Sequence, residues 1–227
     1  MSLTIFESTS KYASVTNQAV LNELGLHWDT GHWKNSGGDS VVYASGTEDV
    51  ATLHVTDKIS ISLGSGTDAG KLVLSHTNGA SVVLSSSITS AFRIIKTETA
   101  LVLDVVGSSM TFEAAIGRTI DSSGTESYGV FWKSATTAST TAYIFTDKAS
   151  TSASNANFAH TTSIKTSSNI TQLLPICSRT CDESFRDDVR MVYMCPENTA
   201  GRSILKGTTY YLTHYNTSGI LAVKYID

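Results

Sequence analysis

Alternation of apolar and polar residues dominates the chain from about residue 41 to residue 147. In Ile59-Ser60-Ile61-Ser62-Leu63 every second side chain is apolar, which is the period of a strand with one buried face. Asn78-Gly79 between the apolar runs 72–74 and 82–84 predicts a tight hairpin. Applied along the segment, the same pattern predicts strands at 41–44, 50–56, 58–63, 71–75, 81–85, 91–96, 101–106, 111–116, 128–133 and 142–146.

Residues 11–24 have the period of a helix instead, because their apolar positions fall on one helical face. Those positions are Tyr12, Val15, Ala19, Leu21 and Leu24. Ser10 is expected to cap the N-terminus of this helix, and Gly25 is expected to end it.

The C-terminal part also predicts strands, at 173–177, 191–195, 203–205, 209–212 and 221–226, the last three forming a meander. Residues 148–169 are rich in Ser, Thr and Ala and predict a linker or long loop. The charged stretch 182–190 is expected to be a solvated turn or short helix.

These elements predict a mainly β protein, because no helical pattern separates the strands as parallel crossovers would require. We expect an antiparallel sandwich or jelly-roll-like module over residues 30–147, preceded by an N-terminal segment, 1–29, that carries the one helix. After the linker, residues 170–227 are expected to form a small C-terminal β module.

Composition supports sheet over helix. The chain has 227 residues, of which 33 are Ser and 31 are Thr, while only 16% are charged. Thr suits a pleated, half-buried surface, whereas long solvated helices need Glu, Lys and Arg. The net charge of −4, with scattered Lys and Arg, argues against nucleic acid as a partner. No run is apolar enough to cross a membrane, and no signal peptide is evident, which favours synthesis in a reducing cytoplasm.

Three cysteines, Cys177, Cys181 and Cys195, offer one candidate site. Their thiolates could supply three ligands of a structural zinc ion, with His160 or His214 as the fourth. The alternative is that Cys177 and Cys195 are free, buried cysteines at strand ends, and then no cofactor is expected.

A second candidate is His27-Trp28-Asp29-Thr30-Gly31-His32-Trp33, which holds two His-Trp pairs. Indole rings beside polar side chains can bind a sugar ring, so His27, Trp28, His32 and Trp33 form a candidate ligand-binding site. His27, His32 and Asp29 could also bind a metal. In the alternative, the two tryptophans close the end of the sandwich.

Catalytic signatures are weaker. Asp182, Glu183, Asp187 and Asp188 could include the paired carboxylates of a polysaccharide hydrolase, but they lie together among arginines, which favours a charge-balanced surface. Nucleophile-elbow, phosphate-loop and dinucleotide motifs are absent from the sequence. We therefore predict no catalytic residues.

The C-terminal pattern resembles the closing β-meander of small virion proteins of tailed bacteriophages. It is carried by Ser203-Ile204-Leu205-Lys206-Gly207-Thr208-Thr209-Tyr210-Tyr211-Leu212 and by Gly219-Ile220-Leu221-Ala222-Val223-Lys224-Tyr225-Ile226-Asp227. The resemblance implies a non-enzymatic phage tail or other virion protein, of the kind carried by prophages, that self-associates as a homo-oligomer and contacts other tail proteins. The alternative function is a carbohydrate-binding module or adhesin for cell-surface glycan.

Overall fold

The computed structural model describes most of the chain: residues 3–28, 33–34, 40–41, 49–85, 88–105, 110–136, 140–147, 173–176, 183–186, 188–192, 201–205, 207–213 and 220–225. The predicted linker, 148–169, lies outside these residues. Within them the chain forms strands and a single α-helix, and the strands pair antiparallel. The prediction of a mainly β, antiparallel fold with one N-terminal helix is confirmed.

The helix, α1, is Asn17–His27. The strands in chain order are β1 (Thr4–Glu7), β2 (Trp33–Lys34), β3 (Ser40–Val41), β4 (Thr52–His54), β5 (Ile59–Leu63), β6 (Leu72–His76), β7 (Ser81–Ser85), β8 (Phe92–Lys96), β9 (Ala100–Val105), β10 (Met110–Asp121), β11 (Glu126–Thr136), β12 (Thr140–Thr146), β13 (Leu173–Pro175), β14 (Glu183–Phe185), β15 (Val189–Val192), β16 (Gly201–Leu205), β17 (Thr208–Leu212) and β18 (Ile220–Lys224).

The strands form three sheets. A middle sheet has the order β1-β8-β9-β10-β11-β12, with β14 pairing to β10. A six-stranded sheet has the order β3-β2-β4-β5-β6-β7, and the C-terminal sheet has the order β13-β15-β18-β17-β16. The predicted hairpin at Asn78-Gly79 joins β6 to β7, with Gly79 at a φ of 91° that favours glycine. The predicted C-terminal meander is β16-β17-β18.

The middle sheet is buried on both faces. In β9, Leu101 and Leu103 belong to a core shared with α1 and the six-stranded sheet. Ala100 and Val102 point the other way, into a core shared with Val223 and other residues of the C-terminal sheet. The N-terminal and C-terminal β segments therefore share a core, and the middle sheet is the layer that joins them.

The helix begins later than the pattern predicts. Thr16 caps α1, because its hydroxyl accepts a hydrogen bond from the backbone N–H of Ala19 at 3.1 Å. Ser10 instead donates to the backbone carbonyl of Glu7 at 2.7 Å. The prediction of a helix over 11–24 capped by Ser10 is wrong in its boundaries, and α1 continues past Gly25 to His27.

A row of charged side chains crosses the face of the middle sheet that meets the C-terminal sheet. Strand register places Glu7 opposite Arg93, Arg93 opposite Asp104, Asp104 opposite Glu113, and Glu113 opposite Lys133. Lys133 Nζ donates to Glu113 Oε2 at 2.7 Å, and Arg93 Nε lies 2.6 Å from Glu7 Oε1. Each of the two buried carboxylates has a cation on one neighbouring strand, Arg93 for Asp104 and Lys133 for Glu113, while Asp104 and Glu113 face each other as like charges.

The inner end of this row is buried under the C-terminal sheet. Glu113 and Lys133 are each 1% exposed, and the Thr213 hydroxyl of the C-terminal segment donates to Glu113 Oε1. Burial raises the pKa of Glu113, although the adjacent Lys133 ammonium acts in the opposite direction. The pair thus couples the docking of the C-terminal sheet to a buried charge.

No helix among the residues that the structure describes is long and apolar enough to cross a membrane.

We predict that Lys133→Met destabilises the protein by about 3–5 kcal/mol, because Glu113 then loses its buried counter-ion. The double substitution Lys133→Met/Glu113→Leu is expected to recover most of that loss. Urea denaturation measures both. Lys71→Met is the control, because Lys71 and Asp68 form a part-exposed ion pair at 2.8 Å worth about 0–1 kcal/mol. Equal losses of stability from Lys133→Met and Lys71→Met would contradict the prediction.

Candidate functional site

A cleft of about 400 Å³ lies where the C-terminal end of α1 meets the β8–β9 turn and the β10–β11 pair. Its polar and aromatic lining comprises His27, Trp28, Lys96, Glu98, Arg118 and Tyr128. This volume is within the range of ligand pockets, which combine apolar surface with a few polar groups. It is the candidate site, and we call it the first cleft.

Two of the predicted site residues lie at the end of α1 and line this cleft. His27 is the last helical residue, and Trp28 turns into an extended conformation while its backbone N–H still bonds to Leu24 at 3.0 Å. Trp28 is only 7% exposed and packs edge-on against Tyr128, with ring centroids 5.6 Å apart at 87°. The indole therefore acts mainly as a support that fixes the Tyr128 ring.

A buried carboxylate positions His27. Glu23, one turn earlier on α1, lies 3.4 Å from His27 Nε2 through its Oε2. Its Oε1 accepts hydrogen bonds from Lys11 Nζ at 2.5 Å and from the Tyr12 hydroxyl at 2.6 Å. Burial alone would raise the pKa of Glu23, but the contacts with His27, Lys11 and Tyr12 outweigh it and lower the pKa to about 2.

The β8–β9 turn forms the opposite wall and is tightly held. The Thr97 hydroxyl accepts hydrogen bonds from the backbone N–H groups of Thr99 at 3.2 Å and Ala100 at 2.9 Å, and donates to Asp188 Oδ2 at 2.6 Å. Gly117 lets β10 approach this turn, because a Cβ there would lie 2.8 Å from the Ala100 Cβ and 2.9 Å from the Thr99 carbonyl oxygen.

A second cleft of about 360 Å³ lies beyond this turn and shares Glu98 and Thr99 with the first. Arg186, Asp188 and Lys224 also line it. Asp188 is 8% exposed, and its Oδ1 has no hydrogen-bond partner within the part of the chain that the structure describes. The two clefts together flank one rigid turn.

Three further buried polar atoms on residues that line the first cleft lack hydrogen-bond partners among the described residues. They are the indole Nε1 of Trp28, the hydroxyl of Thr99 and the Nε2 of His27, which is 3.4 Å from the Glu23 carboxylate. Buried polar groups are normally paired, so unpaired ones around a cleft indicate a place where a polar ligand or water completes the network. The arrangement suits binding of a hydroxyl-rich molecule.

The predicted site residues have different outcomes. His27 and Trp28 line the first cleft. Trp33 begins β2, whose backbone pairs with β3 and β4, but its side chain lies outside the described part of the structure, as does all of His32. Whether the two His-Trp pairs converge stays a prediction.

The metal predictions are not tested. The three cysteines of the proposed zinc site, Cys177, Cys181 and Cys195, lie outside the described residues, as does Asp29. Among the residues that are described, no three His, Cys, Asp or Glu side chains are grouped so as to hold a metal ion.

The charged stretch 182–190 differs from its prediction as a solvated turn or short helix with a charge-balanced surface. Glu183 begins β14 and is 2% exposed, because β14 pairs with the end of β10 and brings its carboxylate to the Thr119 hydroxyl at 3.2 Å. Asp188 is also buried, and its carboxylate accepts a hydrogen bond from the Thr97 hydroxyl. For these two carboxylates the surface prediction is wrong, while Asp182 and Asp187 lie outside the described residues.

Sequence reasoning missed Arg118, Tyr128 and the β8–β9 turn. Arg118 and Tyr128 face each other across the β10–β11 hairpin, and Tyr128 raises the pKa of the Arg118 guanidinium. The turn-forming residues Asp121-Ser122-Ser123-Gly124, which join β10 to β11, could have suggested this pair, because Arg118 and Tyr128 lie close to them on either side, but the pairing requires the register.

We predict that Glu23→Gln removes part of the acid sensitivity of the protein. The folded pKa of about 2 lies below the ordinary value of 4.5, so the Glu23 carboxylate stabilises the fold above about pH 4.5 and loses that effect as the pH falls toward 2. Denaturant unfolding at pH 6, 4 and 3 should show the wild-type advantage over Glu23→Gln shrinking with acid. Glu126→Gln, at an exposed carboxylate, is the control, and a pH-independent difference for Glu23→Gln would refute the prediction.

Comparison of the chain with models of known protein families, with curated proteins and with solved structures found no match. No residue role is therefore carried over from another protein. The first cleft is a candidate site on its geometry and chemistry alone.

Proposed function

We propose that the protein is a non-enzymatic structural component of a tailed-phage virion, such as a tail protein, that acts through self-association. The observation that carries the proposal is Ile204, which is 72% exposed on β16, the terminal strand of the C-terminal sheet. A terminal strand offers unpaired backbone groups to another chain, and natural proteins usually protect such edges. An isoleucine left uncovered there suits an edge that a second copy covers.

The meander β16-β17-β18 is also the segment whose sequence resembles phage virion proteins. Arg202, on the same face of β16 as Ile204, stacks over the Tyr225 ring at 4.7 Å, which keeps the charged group beside the strand. This placement leaves Ile204 as the exposed apolar contact. Copies that pair β16 with β16 would form a two-fold interface in which the two isoleucines are buried together.

We predict that Ile204→Lys raises the dissociation constant of the oligomer at least tenfold, about 1.4 kcal/mol, because burial of an ammonium replaces burial of an alkyl side chain. Light scattering after size exclusion, over a range of concentrations, gives the mass. Leu26→Lys is the matched control, since Leu26 is 38% exposed on α1 rather than on a strand edge.

A wild-type protein that stays monomeric at high concentration, or an Ile204→Lys variant with unchanged mass, would contradict self-association through β16. The virion assignment has a separate test in the neighbouring genes. Tail or head genes on both sides support it, and a metabolic operon opposes it.

The first cleft supports a second candidate function, which is glycan binding. Its supporting observation is the Tyr128 ring, braced by Trp28 at the wall of a cleft that also contains unpaired buried polar atoms. An aromatic face suits the apolar face of a sugar ring, and the neighbouring hydrogen-bonding groups suit its hydroxyls. Such a protein would serve as a carbohydrate-binding module or adhesin.

We predict that Tyr128→Ala abolishes retention of any glycan that the wild-type protein binds on a glycan array. Tyr225→Ala is the control, because Tyr225 follows β18 in the C-terminal sheet and does not line the cleft. Absence of glycan retention by the wild type, or retention by Tyr128→Ala, would remove this function.

A further inference from the structure

The first and second clefts lie on the two sides of the β8–β9 turn, because Glu98 and Thr99 of that turn line both. We call the two clefts together the paired groove. Arg118 lines one half and Arg186 lines the other. An extended ligand that crosses the turn would therefore meet a guanidinium group on each side.

The two arginines are held next to each other. The backbone N–H of Arg186 donates to the carbonyl of Arg118 at 3.1 Å, where β14 runs along β10. Their side chains converge on one carboxylate, with Arg186 Nη1 3.0 Å and Arg118 Nη1 3.9 Å from the two oxygens of Glu126. One carboxylate thus lies between two guanidinium groups, which leaves N–H donors and a positive charge uncompensated.

The other charged residues that line the paired groove do not cancel the positive charge of the arginine pair. Lys96 and Lys224 also line it, whereas its lining carboxylates are Glu98 and Asp188. With Glu126 counted, four cationic side chains face three carboxylates among the described residues of the groove, in a protein whose net charge is −4. The groove is therefore locally cationic on an acidic molecule, and it favours an anionic ligand.

The arginine side chains are available to a ligand. They are 41% and 42% exposed, and guanidinium groups bind carboxylates through two parallel hydrogen bonds. Tyr128 lies opposite Arg118 on the neighbouring strand and lines the same cleft, so a ring on the Tyr128 face would place a ring carboxylate near the arginine pair. A sugar with a carboxylate combines these two features.

We infer that the paired groove binds an acidic polysaccharide, with one sugar ring against Tyr128 and its carboxylate on N–H donors of Arg118 and Arg186 that Glu126 does not use. The inference rests on the second candidate function, glycan binding, and names its ligand class. Asp188 Oδ1, which has no hydrogen-bond partner among the described residues, would accept a hydroxyl hydrogen bond from the next sugar in the second cleft.

Calorimetric titration of the full chain with short acidic oligosaccharides tests this inference. The probes are oligomers of galacturonate, of glucuronate and of sialate, each paired with its methyl ester, which keeps the sugar and removes the charge. At least one acid should bind about tenfold more tightly than its ester, as expected for charge-assisted bonds. Added salt should reduce that preference.

The variants locate the binding. Arg118→Gln and Arg186→Gln should each remove most of the preference for acid over ester, while Arg186→Lys, which keeps the charge but not the paired donors, should be intermediate. Lys71→Gln is the control, because Lys71 pairs with Asp68 at 2.8 Å and does not line the groove. Thermal melting confirms that the variants are folded.

Acids that bind no more tightly than their esters would overturn the inference, as would a preference that survives the double substitution Arg118→Gln/Arg186→Gln. Glycan binding itself stands if esters or neutral glycans still bind and Tyr128→Ala weakens them. If no saccharide binds in either assay, both the ligand class and the glycan function fail.

Discussion

Burial of the middle sheet on both faces is the constraint on which the rest of the structure depends. An antiparallel sheet commonly leaves one face in water and can alternate apolar with polar residues. Here β9 is buried along its whole length, so both of its faces must suit a protein interior. That requirement explains the near-continuous apolar run at 100–105, broken only by Asp104.

Charges on this sheet are tolerated because the register gives each buried carboxylate a cation on one neighbouring strand, even though Asp104 and Glu113 also face each other. Asp104 lies between Arg93 and Glu113, and Glu113 lies beside Lys133, so the interior contains a cross-strand row instead of isolated ions. The same central sheet positions both halves of the paired groove. The β8–β9 turn of this sheet separates the two clefts, and the Thr97–Asp188 hydrogen bond connects that turn to the C-terminal segment.

Local signals predicted the elements well where the chemistry is local. Asn78-Gly79 gives its hairpin because glycine tolerates the positive φ, and the alternation at 59–63 gives β5. The helix start was misplaced because Ser10 and Thr16 are both acceptable caps, and tertiary structure decides between them.

Candidate chemistry was harder to predict. The tryptophan cluster indicated His27 and Trp28, but Arg118 and Arg186 are 68 positions apart in sequence and meet only through the pairing of β14 with β10.

The Glu113–Lys133 pair also has a consequence for the order of folding. Its two members are 20 residues apart and face each other within one hairpin, whereas the Thr213 hydroxyl that completes the site is 100 residues from Glu113. Contacts between near neighbours form before those that close long loops. During synthesis the β10–β11 hairpin can form its Glu113–Lys133 ion pair early. The apolar face around that pair stays uncovered until the last strands have been synthesised. A ribosome-bound intermediate of this protein would therefore expose a largely apolar surface until the C-terminal sheet is complete.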